Sequence, residues 1–439
     1  MGKTVRRLVG LAAFLVTFAC AAIAVFVLST GLVDVSQFLP TGGSLQPPTS
    51  GPPQVEVPQV EVPQIAPGEA TTLADVVQPR PLLSSVPTPF DLSTEPRVVG
   101  ANLFLAILLA LLFGATSTVL SNMLRDEEET IRGWLDKLGI FKLFPKGMSW
   151  AARRAVARGC LTLPIFALIF ALYGIIFAFL ERGTSVLSQS GAFLAVTLAF
   201  SVGLVSFAGD IAQRIVATFW RTDARLRIYP ANLLMAILTV ITSRLFVLTP
   251  GIVFGTPGGV DINLSEKQRG RQVVLALATL VTTAILGGVG WAVSGAVQIS
   301  LNQPIDTRVA NLAVALLSAA QNTSLAVFLI AMETLFFEML PLAYGLGQTF
   351  FQWNKIAWGV LFAPIAFLFN HTLLNPNSGF LESFQTSNVR FMWFALFVLV
   401  GITAALWTYF NVLRDMLNKP PASPPAAPPL DPPQAPYLG

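Results

Sequence analysis

The chain has 439 residues, of which 54% are hydrophobic and only 11% charged, with a formal net charge of +4 and a mean hydropathy of +0.68. A water-soluble fold of this size has too little interior to hide so much apolar surface, so the soluble enzyme classes are excluded. The weak positive balance sits mostly in loops, which suits membrane orientation and excludes a nucleic-acid surface.

Apolar runs recur along the chain, each long enough to cross about 30 Å of hydrocarbon as a helix, and only helices satisfy their own backbone polar groups there. The composition therefore predicts an all-α polytopic membrane protein. Cys20 and Cys160 lie in or beside such runs, so no structural disulfide is expected.

Residues 1–30 open with Lys3, Arg6 and Arg7 and continue as an apolar run. That run is too long, and too poor in a small-x-small site, for a cleaved signal peptide; it predicts a signal-anchor helix with a cytoplasmic N-terminus. Residues 31–98 are rich in Pro, Gly, Ser and Gln, with a short repeat in "VEVPQVEVPQ", and predict a disordered extracytoplasmic linker. Residues 99–190 predict two membrane helices, 99–124 and 160–180, joined by a cytoplasmic amphipathic loop with Ile131, Trp134, Leu135 and Leu138 on one face.

Within 191–358, spans are expected over 192–216, 272–300 and 309–340, with a further apolar segment at 231–248. Loop charge decides how that segment runs. If it crosses, Lys267, Arg269 and Arg271, and also Arg414 and Lys419, fall outside; if it dips in and returns, all fall inside, as the positive-inside rule prefers. The Pro and Gly of "LTPGIVFGTPGG" suit irregular backbone shielded by protein, so a re-entrant segment is expected. Residues 359–418 complete the C-terminal membrane helices, with spans at 356–374 and 391–413, and 419–439 form a disordered Pro-rich tail. The expected total is about eight transmembrane helices plus the re-entrant piece, with both termini cytoplasmic.

Ionisable residues inside apolar helices mark candidate sites. In "SFAGDIAQRIVA", Asp210 and Arg214 lie one turn apart and can pair at i, i+4. Glu333 and Glu338 are expected to face them, or Arg244, in one polar network. Gln321 and Asn322 read as interhelical hydrogen-bonding groups, and Gly287, Gly288, Gly290, Ser294 and Gly295 as a close-packing face. His371, the one histidine, is expected at a surface or membrane boundary.

Three stretches within about 200–358 resemble the site-2 protease family of zinc intramembrane metalloproteases. "FAGDIAQRIVATFWRTDARLRIYPANLLMAIL" is similar to the family's L-H-E-L-A-H-K-x-x-A helix and the basic-aromatic Y-P segment after it, with Ile211, Ala212, Arg214 and Ala217 fitting. "LTPGIVFGTPGG" resembles its re-entrant P-G segment. "ETLFFEMLPLAYGLGQTFFQWNKIAW" resembles its N-x-x-P-x-x-x-L-D-G helix with trailing W-N and W.

The resemblance implies a zinc held by two histidines at i, i+4 and a third ligand, with a glutamate as base. The four matching positions here are Gly209, Asp210, Gln213 and Leu346, and one histidine in the whole chain cannot supply the pair in any register. The family fold without its ligands implies a pseudoprotease with no catalytic residue, metal or cofactor. Its expected partners are membrane lipids and another integral membrane protein held in the former substrate cleft of a bacterial inner-membrane protein. Two other readings stay open: a small-solute transporter or channel lined by Asp210, Arg214, Arg244, Glu333 and Glu338, and a structural tether built on the outer linker.

Overall fold

The computed structural model describes residues 81–137, 162–182, 185, 187–222, 224–228, 231–255, 257–262, 268–302, 310–342, 345–379, 383 and 386–414. The expected signal anchor, linker residues 31–80, the rest of the amphipathic loop and the Pro-rich tail lie outside the described residues.

In chain order the elements are α1 (Pro81–Ser84), α2 (Pro96–Asp126), α3 (Glu128–Lys137), α4 (Thr162–Ala178), α5 (Gln189–Phe219), β1 (Ala224–Ile228), α6 (Ala231–Leu245) and β2 (Gly258–Ile262). They continue with α7 (Arg269–Leu301), α8 (Ala310–Met339), α9 (Leu346–Trp353), α10 (Lys355–Phe369) and α11 (Ser387–Thr408). Helices α10 and α11 each run on into a π turn, Asn370–Leu374 and Tyr409–Leu413.

Six of these helices are long and apolar enough to cross a membrane, which makes the chain a multi-pass, all-α membrane protein. They match six of the eight expected spans. Expected span 160–180 coincides with α4, whose 17 residues reach about 25 Å, shorter than the six. The two-stranded β1–β2 ribbon was not expected.

Side-chain contacts give the bundle two ends. At one, the hairpin end, the Arg271 guanidinium lies 5.4 Å over the Trp220 ring, Gln348 donates to Ser121 at 3.0 Å, and Arg414 pairs with Glu127 at 2.5 Å. Here α3 turns its apolar face to the bundle, Trp134 stacking on Phe410 at 5.3 Å. Asn354 separates α9 from α10 by capping the latter, its side chain accepting from the Ile356 and Ala357 amides.

At the other end, residues 81–95 form a strap across the bundle, which corrects the expectation of disorder for the described part of the linker, 81–98. Leu82, Leu83 and Val86 are buried in the core, and the Leu82 amide donates to Glu181 at 2.9 Å. Trp291 donates to the Pro87 carbonyl at 2.9 Å, and Thr88 meets Gln298. Averaged over the linker, the Pro-rich composition hides the short apolar motif "PLLSSV" that has somewhere to bury.

The core centres on α7 and α8. A Cβ on Gly290 would come 3.0 Å from the Ser324 carbonyl, and one on Gly287 2.9 Å from Ala331, so the expected small-residue face does pack closely, while Gly288 faces open space. Below that seam Phe336 stacks on Phe369 at 4.0 Å, and buried Trp358 donates to the Met339 carbonyl at 2.9 Å.

Two outcomes follow. Gly290→Val forces overpacking worth about 1–3 kcal/mol and lowers the thermal midpoint in detergent, whereas Gly288→Val leaves it nearly unchanged. At the strap, partial burial works to raise the Asp91 pKa, but the bonds from Thr88 and Gln298 outweigh it and hold the carboxyl below its ordinary range. A depressed folded-state value contributes attachment that is complete above about pH 4 and lost as pH falls through the lowered pKa. Limited proteolysis of residues 85–95 therefore accelerates only on acidification below that range, and at neutral pH in Asp91→Asn.

Candidate functional site

The segment after α6 shows how the polar residues are used. Helix α6 has 15 residues, about 22 Å, and the chain then turns and comes back as extended backbone over 250–255. Strands β1 and β2 pair antiparallel, Ala224 opposite Ile262 and Ile228 opposite Gly258, so the excursion begins and ends side by side.

Extended backbone inside a bundle of apolar helices needs hydrogen-bond partners from neighbouring side chains. Asn388 of α11 supplies two, accepting from the Thr249 amide at 3.1 Å and donating to its carbonyl at 2.6 Å. Ser243 of α6 accepts from the Ile252 amide at 2.8 Å, and buried Glu333 of α8 accepts from the Val253 amide. Gly255 closes the segment at φ +117°, where a Cβ would also lie 3.0 Å from the Asn232 carbonyl, so only glycine fits.

Glu333 is thus a backbone ligand and does not face Asp210. Glu338 does: it lies close enough to Asp210 for the two charges to repel. Five positions on a helix are roughly 140° apart, so the two glutamates cannot share one partner.

Arg244 is also elsewhere. Its guanidinium donates to the Phe179 and Glu181 carbonyls at 2.6 and 2.8 Å, which terminate the helical run of α4 near the strap. A helix C-terminus offers orphan acceptors and the negative end of its dipole, a better site for guanidinium than a single carboxylate. Asp210 is buried while Arg214 is exposed, and no ion pair joins them among the described residues. The expected five-residue network is therefore three separate arrangements: Asp210 with Glu338, Glu333 with the return segment, and Arg244 with α4.

The four positions of the resembled metal motif divide similarly. Gly209 and Gln213, one turn apart on α5, both face α7. A Cβ on Gly209 would lie 3.0 Å from the Thr279 methyl, and Gln213 donates to the Thr279 hydroxyl at 2.6 Å. Asp210 turns toward α8, and Leu346 opens α9 and packs on the apolar core. Among the described residues, no group of three His, Cys, Asp or Glu stands close enough to hold a metal ion.

His371 is buried, which corrects its expected surface position. Asn102 and Asn375 pair reciprocally, Asn102 Nδ2 to the Asn375 carbonyl at 2.9 Å and Asn375 Nδ2 to Asn102 Oδ1 at 3.1 Å. That fixes the Asn102 amide with Nδ2 toward His371 Nδ1 at 3.0 Å, so this ring nitrogen accepts and the imidazole is neutral. The strap passes close to the ring at the Ser93 backbone. The i, i+4 spacing of His371 and Asn375, in "NHTLLN", was the available signal.

Comparison of the chain with protein-family models, with curated proteins and with solved structures finds no match.

Asn388→Ala removes the acceptor of the Thr249 amide and the donor to its carbonyl, two part-buried bonds worth about 0.5–1.5 kcal/mol each. Its thermal midpoint in detergent should fall well below that of the unsubstituted protein, with amide exchange in 249–254 rising first. Asn388→Asp keeps the acceptor and loses the donor, and falls between the two.

Proposed function

We propose that the chain is a non-catalytic, site-2-protease-like protein of a bacterial inner membrane that holds other membrane proteins. The observation carrying this reading is the closed face of α5. Gly209 and Gln213, at positions where the resembled enzymes carry ligands, pack directly on Thr279 of α7, which supports a face given over to helix packing. The return of the α6 excursion to the β1–β2 ribbon favours the re-entrant path over a crossing. Arg125, Arg269, Arg271, Lys355 and Arg414 gather at the hairpin end, which favours a cytoplasmic position for that end and for the C-terminus.

A surface for a partner lies between α4 and α5. There an apolar groove of about 760 Å³ is lined by Ala167, Ala171, Ala195, Ala199 and Gly203, with Phe170 and Phe207 at one end. Small side chains let a second helix approach closely, which is how membrane helices associate without a hydrophobic drive.

A photo-crosslinking residue at Val196 or Phe200, both exposed on this groove, should trap a defined integral membrane protein in native membranes. The same probe at Ile285 on α7 should not. Stoichiometric zinc with chelator-sensitive cleavage of a membrane substrate would refute the reading, as would crosslinks to lipid alone.

One observation favours a second reading, a cation-coupled carrier. Asp210 and Glu338 lie near enough for their charges to repel, with no ion-pair partner among the described residues, and acidic groups so placed mark ion paths in transporters. Sodium or proton flux in liposomes, abolished by Asp210→Asn and by Glu338→Gln, would establish it in place of the first.

A further inference from the structure

The hairpin end carries two adjoining polar cavities, of about 190 and 130 Å³, between α2, α7, α9 and the start of α10. They share Gln348 and Gln352, which lie one turn apart on α9. Three cations from three different helices frame them: Arg125 in the last turn of α2, Arg269 at the start of α7 and Lys355 at the start of α10.

None of the three is neutralised by a described residue. Among the described residues no carboxylate stands within ion-pairing distance of them; the ion pair at this end, Arg414 with Glu127, uses neither cavity. The acidic run Asp126–Glu129 begins just beyond Arg125 and lines neither cavity. Lys355 is steadied 5.2 Å over the Phe351 ring, and Gln348, nine-tenths buried, is fixed by its bond to Ser121, which leaves its Oε1 to accept from a headgroup hydroxyl beside the anion. Unpaired cations around a preformed polar cavity recognise an anion of phosphate size.

The flank identifies the source of that anion. Trp353 and Ile356 stand beside the cavity at the ends of α9 and α10, both large, apolar and exposed. A tryptophan beside the start of a membrane helix lies at headgroup level, and an exposed isoleucine in the first turn of that helix meets the acyl chains where they leave the phosphate. We propose that the two cavities together bind the phosphate headgroup of an anionic phospholipid, held by Arg125, Arg269 and Lys355 with its acyl chains against Trp353 and Ile356. This site is separate from α5 and from the groove beside it, and stands independently of the partner-binding reading.

The test uses the delipidated full-length chain in neutral detergent. Titration with phosphatidylglycerol, followed by native mass spectrometry and thermal shift, should give saturable binding. Phosphatidylcholine should bind far more weakly, and added salt should weaken the phosphatidylglycerol complex. Each of Arg125→Gln, Arg269→Gln and Lys355→Gln should reduce affinity about fivefold, and the triple variant about a hundredfold. Arg271→Gln, whose guanidinium lies over Trp220 outside both cavities, should leave affinity unchanged and serves as the charge-matched control. Inorganic phosphate at millimolar concentration should neither protect nor compete; protection equal to that of the lipid would mean that the site takes a soluble anion and would overturn the lipid assignment. Equal binding of phosphatidylcholine, or undiminished binding by a monodisperse triple variant, would overturn the site itself.

Discussion

The interaction on which the rest of this structure depends is the pairing of Asn388 with the backbone of Thr249. A chain that leaves helical geometry inside a membrane protein must find a partner for each peptide group from outside its own segment. One carboxamide reproduces what a neighbouring strand would offer, and Ser243 and Glu333 continue the service over the next residues. Removing water from the segment thus commits side chains from three helices, α6, α8 and α11, to fixed positions around it.

That commitment explains the arrangement of charge. Glu333 is buried because an amide requires an acceptor there, and Arg244 is placed by the carbonyls beyond α4. What remains with no backbone task is Asp210 against Glu338. Of the charged residues expected in one network, Glu333 and Arg244 therefore hold irregular backbone, while Asp210 and Glu338 have no such role and lie next to a helix face that packs on Thr279.

Much of the architecture was legible in the sequence, because length and hydropathy alone define a membrane helix. The six long helices and the glycine face of α7 followed directly. Partner choice was not legible. Opposite charges at i, i+4 suggested Asp210 with Arg214, but the burial of one and exposure of the other depend on which helix lies alongside. The roles of Thr279 and Asn388 were hidden because a single polar residue carries no periodic signal and gains meaning only from the backbone it meets. The angular separation of Glu333 and Glu338 could have been read in advance from helix geometry.

The strap has a mechanical consequence. Residues 81–95 are fastened at Leu82 to Glu181 and, further along, at Pro87 to Trp291 and Thr88 to Gln298, so the holds fall on two different parts of the bundle. Tension arriving along the chain from residue 80 meets the buried Leu82 and Leu83 first and is divided between the loop after α4 and the shaft of α7 before any of it reaches α2. The first transmembrane helix after the linker is therefore isolated from pulling, and the load falls on α7, whose glycine seam locks it to α8.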